Sequence, residues 1–216
     1  LLLLLITLFT ATAFSQKLNF TEVWVWEYTN RNGQKAEMAI YREPQLNYWL
    51  LTSEAFANTD EMTEWFILKP DGEVLQAYQD GEKNSLKKLL KHQLPSKKNR
   101  QLPSYWKATS NKQSFGDTRL GFPLFQGTAY KVSYLKTKDQ STFYLAQTKA
   151  DFTMVSYFNN LNIDAKLPIR FPKDIPGHYI TLSEHTVFPG GAVQYTFKYI
   201  SQTAYHINLA DYKLTP

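Results

Sequence analysis

Apolar and polar positions alternate with a period of two over much of this chain. In the first such stretch, residues 20–28, valines occupy positions 23 and 25. The even positions carry aromatic side chains: Phe20, Trp24, Trp26 and Tyr28. Alternation of this kind predicts a β-strand, and apolar residues on both sides predict that both faces of the strand are covered.

Turn residues divide the first third of the chain into further strands. Asn32-Gly33 supplies the positive φ of a tight hairpin turn, and Pro70-Asp71-Gly72 predicts another turn. Strands are expected near residues 35–41, 47–52, 65–68 and 74–78. The pattern therefore predicts an antiparallel meander of about five strands before residue 82.

The periodicity changes at Ser85. Four leucines follow at helical spacing: Leu86, Leu89, Leu90 and Leu94. Three lysines fall on the opposite side of that helix: Lys87, Lys88 and Lys91. A basic helix over 85–93 is predicted, ended by Pro95, and a long polar loop continues to about residue 118.

Strand patterns resume after Gly121. They cover residues 130–134, 142–147, 178–187 and 193–200, and Tyr205, Ile207 and Leu209 close the sheet. Residues 152–158 are apolar and fit a strand or a helix equally well. We find no internal repeat. The expected fold is mainly β with a central helix, a β-rich α+β domain over 16–216 whose curved antiparallel sheet forms a half-barrel or open barrel.

The N-terminal residues have the pattern of a secretory signal peptide. An apolar run reaches Phe9, and small residues follow it up to Ser15. This run is shorter than the roughly 20 residues that cross a membrane. Cleavage after Ala13 or after Ser15 is consistent with the pattern, and we favour residues 1–15 as the signal. The protein is therefore predicted to be exported, to the periplasm or outside the cell.

The chain contains no cysteine. It can form neither disulfides nor a thiolate metal site, and it offers no acceptor for a lipid anchor after a signal peptide. The expected state is an exported protein that is not lipid-anchored and depends on its apolar core.

Charge is unevenly distributed along the chain. Residues 17–82 carry 5 basic and 12 acidic side chains, a net −7 (5 − 12), whereas residues 83–119 carry 10 and 1, a net +9 (10 − 1). Lys87, Lys88 and Lys91 belong to this basic segment, and the alternatives are a solvated face, a contact with an anionic surface or a lid over the sheet. No nucleic-acid motif is present, and nucleic acid is not an expected partner.

No catalytic or metal-binding motif appears in the sequence. The four histidines, His92, His178, His185 and His206, are too scattered for a metal site, and no serine lies in a Gly-x-Ser-x-Gly turn. The carboxylates are numerous, but their spacing marks no glycosidase-like pair. We therefore expect no metal, no cofactor and no enzymatic activity, with a hydrolase as the least favoured reading.

Aromatic side chains are abundant, at 33 of 216 residues (5 Trp, 14 Tyr and 14 Phe). They can fill a wide core, line an apolar ligand cavity or form an exposed platform for sugars. We favour a ligand site on the concave face, and an exposed platform of Trp49, Trp65 and Trp106 is the alternative. The predicted site is formed by two aromatic faces and two lid leucines: Trp24, Trp26, Tyr28, Tyr195, Phe197, Tyr199, Leu86 and Leu90.

The predicted meander, short helix and second run of strands together resemble the LolA-like group of bacterial envelope proteins, particularly its uncharacterised soluble members. The resemblance lies in residues 29–40 around Asn32-Gly33, in Leu120-Gly121 leading into 130–134, and in the closing segment 207–213. It implies a half-barrel whose concave apolar face is covered by helices and holds lipid or lipid-like chains. The sequence departs from that pattern in having no helix before the first strand and only one helix to cover the face.

Overall fold

The computed structural model describes residues 17–53, 63–81, 83–90, 104–117, 124–134, 139–161, 178–188 and 190–215. These residues form twelve strands, one α-helix and a 3-10 turn. The strands are β1 (Lys17–Thr29), β2 (Lys35–Glu43), β3 (Tyr48–Thr52), β4 (Thr63–Leu68), β5 (Glu73–Asp80), β6 (Lys83–Leu90), β7 (Ser104–Phe115), β8 (Phe125–Tyr134), β9 (Gln140–Gln147), β10 (Tyr179–Phe188), β11 (Gly191–Asn208) and β12 (Lys213–Thr215). The helix α1 spans Thr153–Leu161, and the 3-10 turn spans Leu209–Asp211.

All twelve strands belong to one open, curved sheet. Their order is β12-β6-β5-β4-β3-β2-β1-β11-β10-β9-β8-β7, so β12 and β7 are its edges. Neighbouring strands are antiparallel except β12 and β6, which are parallel. The prediction of a mainly β protein with a curved antiparallel sheet and a five-stranded meander before residue 82 is confirmed.

The chain passes from β11 to β12 through a short link, although these strands lie seven positions apart in the sheet (first and eighth). The link is residues 209–212, four residues between Asn208 and Lys213. Four residues span little more than about 15 Å, so this part of the sheet must curl strongly.

The inside of this curl is filled by a set of side chains that we call the inner cluster. Its buried members are Leu18, Phe20, Leu50, Trp65, Ile67, Leu75, Ala77, Leu86, Ile207 and Leu209, and Tyr212 packs against them. Leu209 and Tyr212 come from the link itself, so the C-terminal residues close the inner cluster.

The opposite face of β3–β5 contributes to a second, larger set, the main cluster. Leu50 and Leu51 show the division, because adjacent residues of a strand point to opposite faces and these two belong to different clusters. Helix α1 supplies Met154, Val155 and Phe158 to the main cluster, and strands from both halves of the sheet complete it. Strands β3–β5 are thus covered on both faces, an arrangement that the sequence predicted for the first strand.

The predicted helix over 85–93 is wrong for the residues that the structure describes. Residues 83–90 form β6, which pairs with β5 at every position from Asp80–Lys83 to Glu73–Leu90. Leu86 belongs to the inner cluster and Leu89 packs against the main cluster. A strand between two cores needs leucines on both faces, and three-residue spacing places Leu86 and Leu89 on opposite ones.

The long loop predicted up to residue 118 is also corrected. Residues 104–115 form the edge strand β7, paired with β8 and interrupted between Ala108 and Lys112 by an irregularity. Its sequence is polar because one side of an edge strand has no neighbour and much of its surface meets solvent. The helix lies instead at α1, in the stretch for which strand and helix fitted equally.

Some predictions fall on residues outside the described ranges. They include the signal peptide, Lys91 and Leu94 of the basic segment, residues 95–103 of the predicted loop, and Leu120-Gly121 of the LolA-like resemblance. Among the described residues, no helix has the length and apolarity needed to cross a membrane.

Candidate ligand-binding cleft

The predicted aromatic site is mostly packed core. Trp26 is 0% exposed and Phe197 is 2% exposed, and their rings meet edge to face at 5.5 Å. The indole N–H of Trp26 donates to the carbonyl oxygen of Thr181 at 2.9 Å. Rings packed and hydrogen-bonded in this way leave no space for a ligand between them.

The side chains of the two predicted aromatic faces contact each other, except for Tyr199. Tyr28 and Tyr195 stack with ring centroids 4.8 Å apart, next to the contact of Trp26 with Phe197. The pairing of β1 with β11 then shifts between Val25 and Trp26, because Trp26 faces Phe197 while Val25 faces Tyr199. Tyr199 is therefore separated from this aromatic face, and Ile200 packs against the main cluster in its place.

The helical lid predicted from Leu86 and Leu90 is replaced by strand β6. Leu86 is 1% exposed inside the inner cluster, apart from the main cluster that holds Trp24, Trp26 and Phe197. Leu90 ends β6 opposite Glu73. Among the predicted surface lysines, Lys87 and Lys88 are both exposed, and Lys88 also forms an ion pair with Glu73.

The tryptophans proposed as a sugar platform are largely enclosed. Trp49 is 1% exposed and Trp65 is 4% exposed. Trp106 is half-buried and packs against Phe143 with centroids 4.6 Å apart. These three side chains do not form an open aromatic surface.

An open cleft of about 570 Å³ lies where the main cluster reaches the surface. Its lining combines apolar and polar side chains: Glu22, Trp24, Arg42, Phe125, Gln147, Thr148, Lys149, Ala150 and Ile200. Trp24 is the predicted site residue that lies in this cleft. Ring contacts with Phe125 at 6.2 Å and Phe197 at 6.2 Å connect Trp24 to the core behind it.

One wall of the cleft is a partly buried ion pair. Arg42 Nη1 donates to Glu22 Oε2 at 3.1 Å, and the Trp24 indole N–H donates to the same oxygen at 3.2 Å. The Arg42 and Glu22 side chains are 12% and 21% exposed. Glu22 and Arg42 are directly paired across β1 and β2, which places them side by side on the sheet face that also carries Trp24.

The Arg42 guanidinium group is also hydrogen-bonded to Asn47, in the turn between β2 and β3. Its Nε and Nη2 atoms donate to Asn47 Oδ1 at 3.2 and 3.1 Å, and Asn47 has a positive φ of 52°. Asn47 Nδ2 and the Trp49 indole both donate to the carbonyl oxygen of Asp151, at 3.2 and 2.8 Å. The guanidinium group is therefore fixed in place before any ligand arrives.

The other wall is the segment between β9 and α1. The backbone N–H of Thr148 donates to His178 O at 2.9 Å, which ties this segment to the start of β10. Ala150 is buried, whereas Lys149 is exposed. The Asp151 carboxylate then accepts from the Thr153 backbone N–H at 2.8 Å, at the first residue of the helix. The cleft thus has an apolar floor, a fixed ion pair on one side and a solvent-facing lysine on the other.

A separate buried polar chain runs through β8, β9 and β10. Glu184 is 4% exposed and accepts from the Thr186 hydroxyl at 3.0 Å, and Thr186 and Ser141 share a hydrogen bond of 2.7 Å. Tyr134 contacts Ser141 at 3.1 Å. Of these three hydroxyl groups, that of Thr186 contacts the Glu184 carboxylate directly. Within the described ranges, no group of three His, Asp or Glu side chains could hold a metal ion.

Most of the cleft was not predicted from the sequence. Its components Phe125, Ala150 and Ile200 come from three distant segments that only the strand order brings together. One residue could have indicated the cleft from the sequence. Glu22 is a carboxylate on the same predicted strand face as Trp24, Trp26 and Tyr28. A charge within an apolar strand face needs a partner, and Arg42 is that partner.

No protein-family model matches the chain, and no curated protein matches it. Among solved structures, it is similar to the crystal structure of a DUF1329 family protein from Desulfovibrio piger ATCC 29098, at 9% sequence identity and a TM-score of 0.18, over 91% of this chain and 89% of that chain. A TM-score this low supports no conclusion about shared fold or function. The LolA-like resemblance therefore stays a prediction.

Proposed function

We propose that the protein is an exported, non-enzymatic carrier or receptor that binds an amphipathic, lipid-like ligand in the cleft beside Trp24. The observation that carries this proposal is the composition of the cleft, where a floor of Trp24, Phe125 and Ile200 meets the polar pair Glu22–Arg42. The LolA-like resemblance points to the same class of ligand.

The size of the cleft fits a small amphiphile. Its volume of about 570 Å³ lies within the range of roughly 300–1,000 Å³ that is typical of ligand pockets. An apolar chain placed on the floor removes the exposed parts of Phe125 and Ile200 from water. This gain is about 25 cal/mol for each Å² of apolar surface buried.

The polar walls determine how such a ligand is oriented. Arg42 is already bonded to Glu22 and Asn47, so its charge is largely compensated and its position is rigid. Lys149 on the opposite wall is exposed and can meet an anionic headgroup. We infer that the chain of the ligand lies against Phe125 and Ile200, beside Trp24, and that its headgroup faces Lys149 and solvent.

The test is titration of a fluorescent fatty acid into the protein and into an Ile200→Asn variant. Ile200 is only partly buried, so the substitution should leave the fold intact and reduce affinity about tenfold through lost apolar contact. Leu214→Asn is the matched control, because Leu214 is 45% exposed on β12. This variant should bind the fatty acid as tightly as the native protein does. Equal binding by both variants, or no binding by the native protein, contradicts the proposal.

The export part of the proposal rests on residues 1–15 alone. It predicts that protein taken from the native cell begins at Gln16, because Ser15 ends a usable cleavage site. N-terminal sequencing by mass spectrometry measures this directly. Recovery of soluble protein that retains the leucine-rich segment would show that the segment is not a signal peptide.

A sugar-binding module is the alternative function, and it has less support. Such a module needs exposed rings, whereas Trp49 and Trp65 are buried and hydrogen-bonded through their indole groups. Failure of the fatty acid to bind, together with binding of an oligosaccharide, would favour it.

A further inference from the structure

A row of directly paired residues crosses seven strands on one face of the sheet, from β7 to β2. Its members, in order, are Lys107, Lys131, Thr142, His185, Gln194, Thr29 and Lys35. We call it the cationic row. Residues paired directly across neighbouring strands lie on the same face, so these side chains form one continuous line.

A second row runs beside the first on the same face. It consists of Tyr105, Ser133, Gln140, Val187 and Ala192, each two positions along its strand from a member of the cationic row. Tyr105 is 67% exposed and Val187 is 47% exposed. We call this the apolar-polar row, and neither row contains a carboxylate.

The charge of this face is concentrated at its β7–β8 end. Lys107 and Lys131 are both exposed and stand directly opposite each other, an arrangement of like charges that is unfavourable without a counter-ion. At the other end the charge is compensated, because Lys35 pairs with Glu27 at 3.0 Å. Within the part of the chain that the structure describes, no carboxylate pairs with Lys107 or Lys131, and Tyr105 lies beside them on the same face.

Protection of the sheet edge does not explain this pattern. Lysines on an edge strand deter pairing with other chains, and Lys107 on β7 fits that role. Lys131, however, lies on β8, which is paired on both sides. The opposite face of these strands is a packed apolar layer that includes Val132 and Phe143, so the lysines stand on a rigid base.

We propose that this face is a docking surface for a membrane that contains anionic phospholipid. Lys107 and Lys131 match the negative headgroups, and Tyr105 and Val187 are positioned to enter the interface between headgroups and acyl chains. An anionic polysaccharide would use the lysines but gain little from Val187. The surface differs from the one predicted from Lys87, Lys88 and Lys91, and it is independent of the cleft beside Trp24.

The experiment is sedimentation with vesicles of phosphatidylcholine alone or mixed with phosphatidylglycerol, using the full chain. The double variant Lys107→Gln/Lys131→Gln should lower the partition coefficient on the mixed vesicles about tenfold or more, since each lysine near an anionic surface contributes about a factor of five. Tyr105→Ser should weaken binding at low and at high salt alike, because its contribution is apolar. Circular dichroism verifies that each variant is folded.

The matched control is Lys87→Gln/Lys213→Gln, which removes the same charge from two exposed residues near the other sheet edge. Full binding by this control together with loss in the first variant supports the docking surface. Equal loss in both variants shows a net-charge effect and overturns the proposal. The proposal is also overturned if the native protein does not bind the mixed vesicles, or if it binds a soluble anionic polysaccharide more tightly than the vesicles.

Discussion

Glu73 stands at the start of β5, nearly buried, where Lys69 and Lys88 both approach its carboxylate. Burial acts to raise the pKa of Glu73. Hydrogen bonds from Lys69 and Lys88, with their positive charges, outweigh burial and hold the pKa below its usual value of 4.5. The same contact raises the pKa of Lys88. The carboxylate therefore stabilises the folded chain only while it is ionised.

This linkage predicts how stability depends on pH. A carboxyl whose pKa is lower in the folded state contributes stability above its unfolded pKa and loses it as pH falls through its folded pKa. Glu73→Gln should therefore lower the free energy of unfolding by about 1 kcal/mol at pH 7 and flatten its decline below about pH 4.5. Urea titrations from pH 3 to pH 7 measure both effects. Asp80→Asn, at an exposed position on the same strand, is the control and should leave the curve unchanged.

At the scale of single elements, β6 shows how a sequence pattern can mislead. The spacing of Leu86, Leu89 and Leu90 is the same for a helix with one apolar stripe and for a strand buried on both faces. The helix and the strand are distinguished only by whether an apolar core lies on each side of the segment. Those cores are built by other parts of the chain, namely β5, β12 and the link. The polar edge strand β7 was missed for a related reason, since an edge strand needs little apolar alternation.

The elements with a local signal were predicted well. The hairpin at Asn32-Gly33 is present, with Gly33 at a φ of 75°. Residues 20–28 do lie in a strand, but Phe20 packs in the inner cluster, so it does not share one face with Trp24 and Trp26 of the main cluster. The face of β11 was predicted only in part, because the register shift beside Lys198 separates Tyr199 from Phe197. A bulge depends on both strands of a pair, so the sequence of one strand does not reveal it.

The assignment of Leu86 to a core instead of a lid has a measurable consequence. Leu86→Ala should lower the free energy of unfolding by about 2–4 kcal/mol, because the side chain is fully enclosed and its removal leaves a cavity. Leu214→Ala, on the exposed strand β12, should cost less than about 0.5 kcal/mol. Thermal and urea unfolding give both values. If the Leu86 variant keeps its stability but binds more fatty acid, Leu86 acts as a lid residue and not as part of the core.

At the scale of the whole molecule, the C-terminal link joins two distant parts of the sheet. Tyr212 accepts a hydrogen bond from the Trp65 indole at 3.0 Å and donates to Glu64 at 3.2 Å. Burial, followed by the nearby charge of Glu64, raises the pKa of the Tyr212 hydroxyl. Tyr78 is likewise bonded to Thr215 at 3.0 Å. The last residues thus secure β4, β5 and β6.

Removal of this segment should expose the inner cluster. A chain ending at Ala210 loses Tyr212 and β12, so the edge of β6 and one side of Trp65 become accessible. We expect increased binding of an apolar dye, a red shift of tryptophan emission and a lower midpoint of unfolding. Tyr212→Phe keeps the ring and should show a much smaller change. If the shortened chain matches the native one, the link does not close the cluster.

The position of β1 also determines when the protein can fold. The first described strand forms hydrogen bonds with β2 on one side and with β11 on the other, so Trp26 near the start meets Phe197 near the end. A ribosome must therefore finish almost the entire chain before the central strand has both neighbours. Until then β1 presents an open apolar edge, and such long-range pairing is slow to form. The unfinished polypeptide is thus the stage at which the apolar side chains of β1 are most exposed to aggregation.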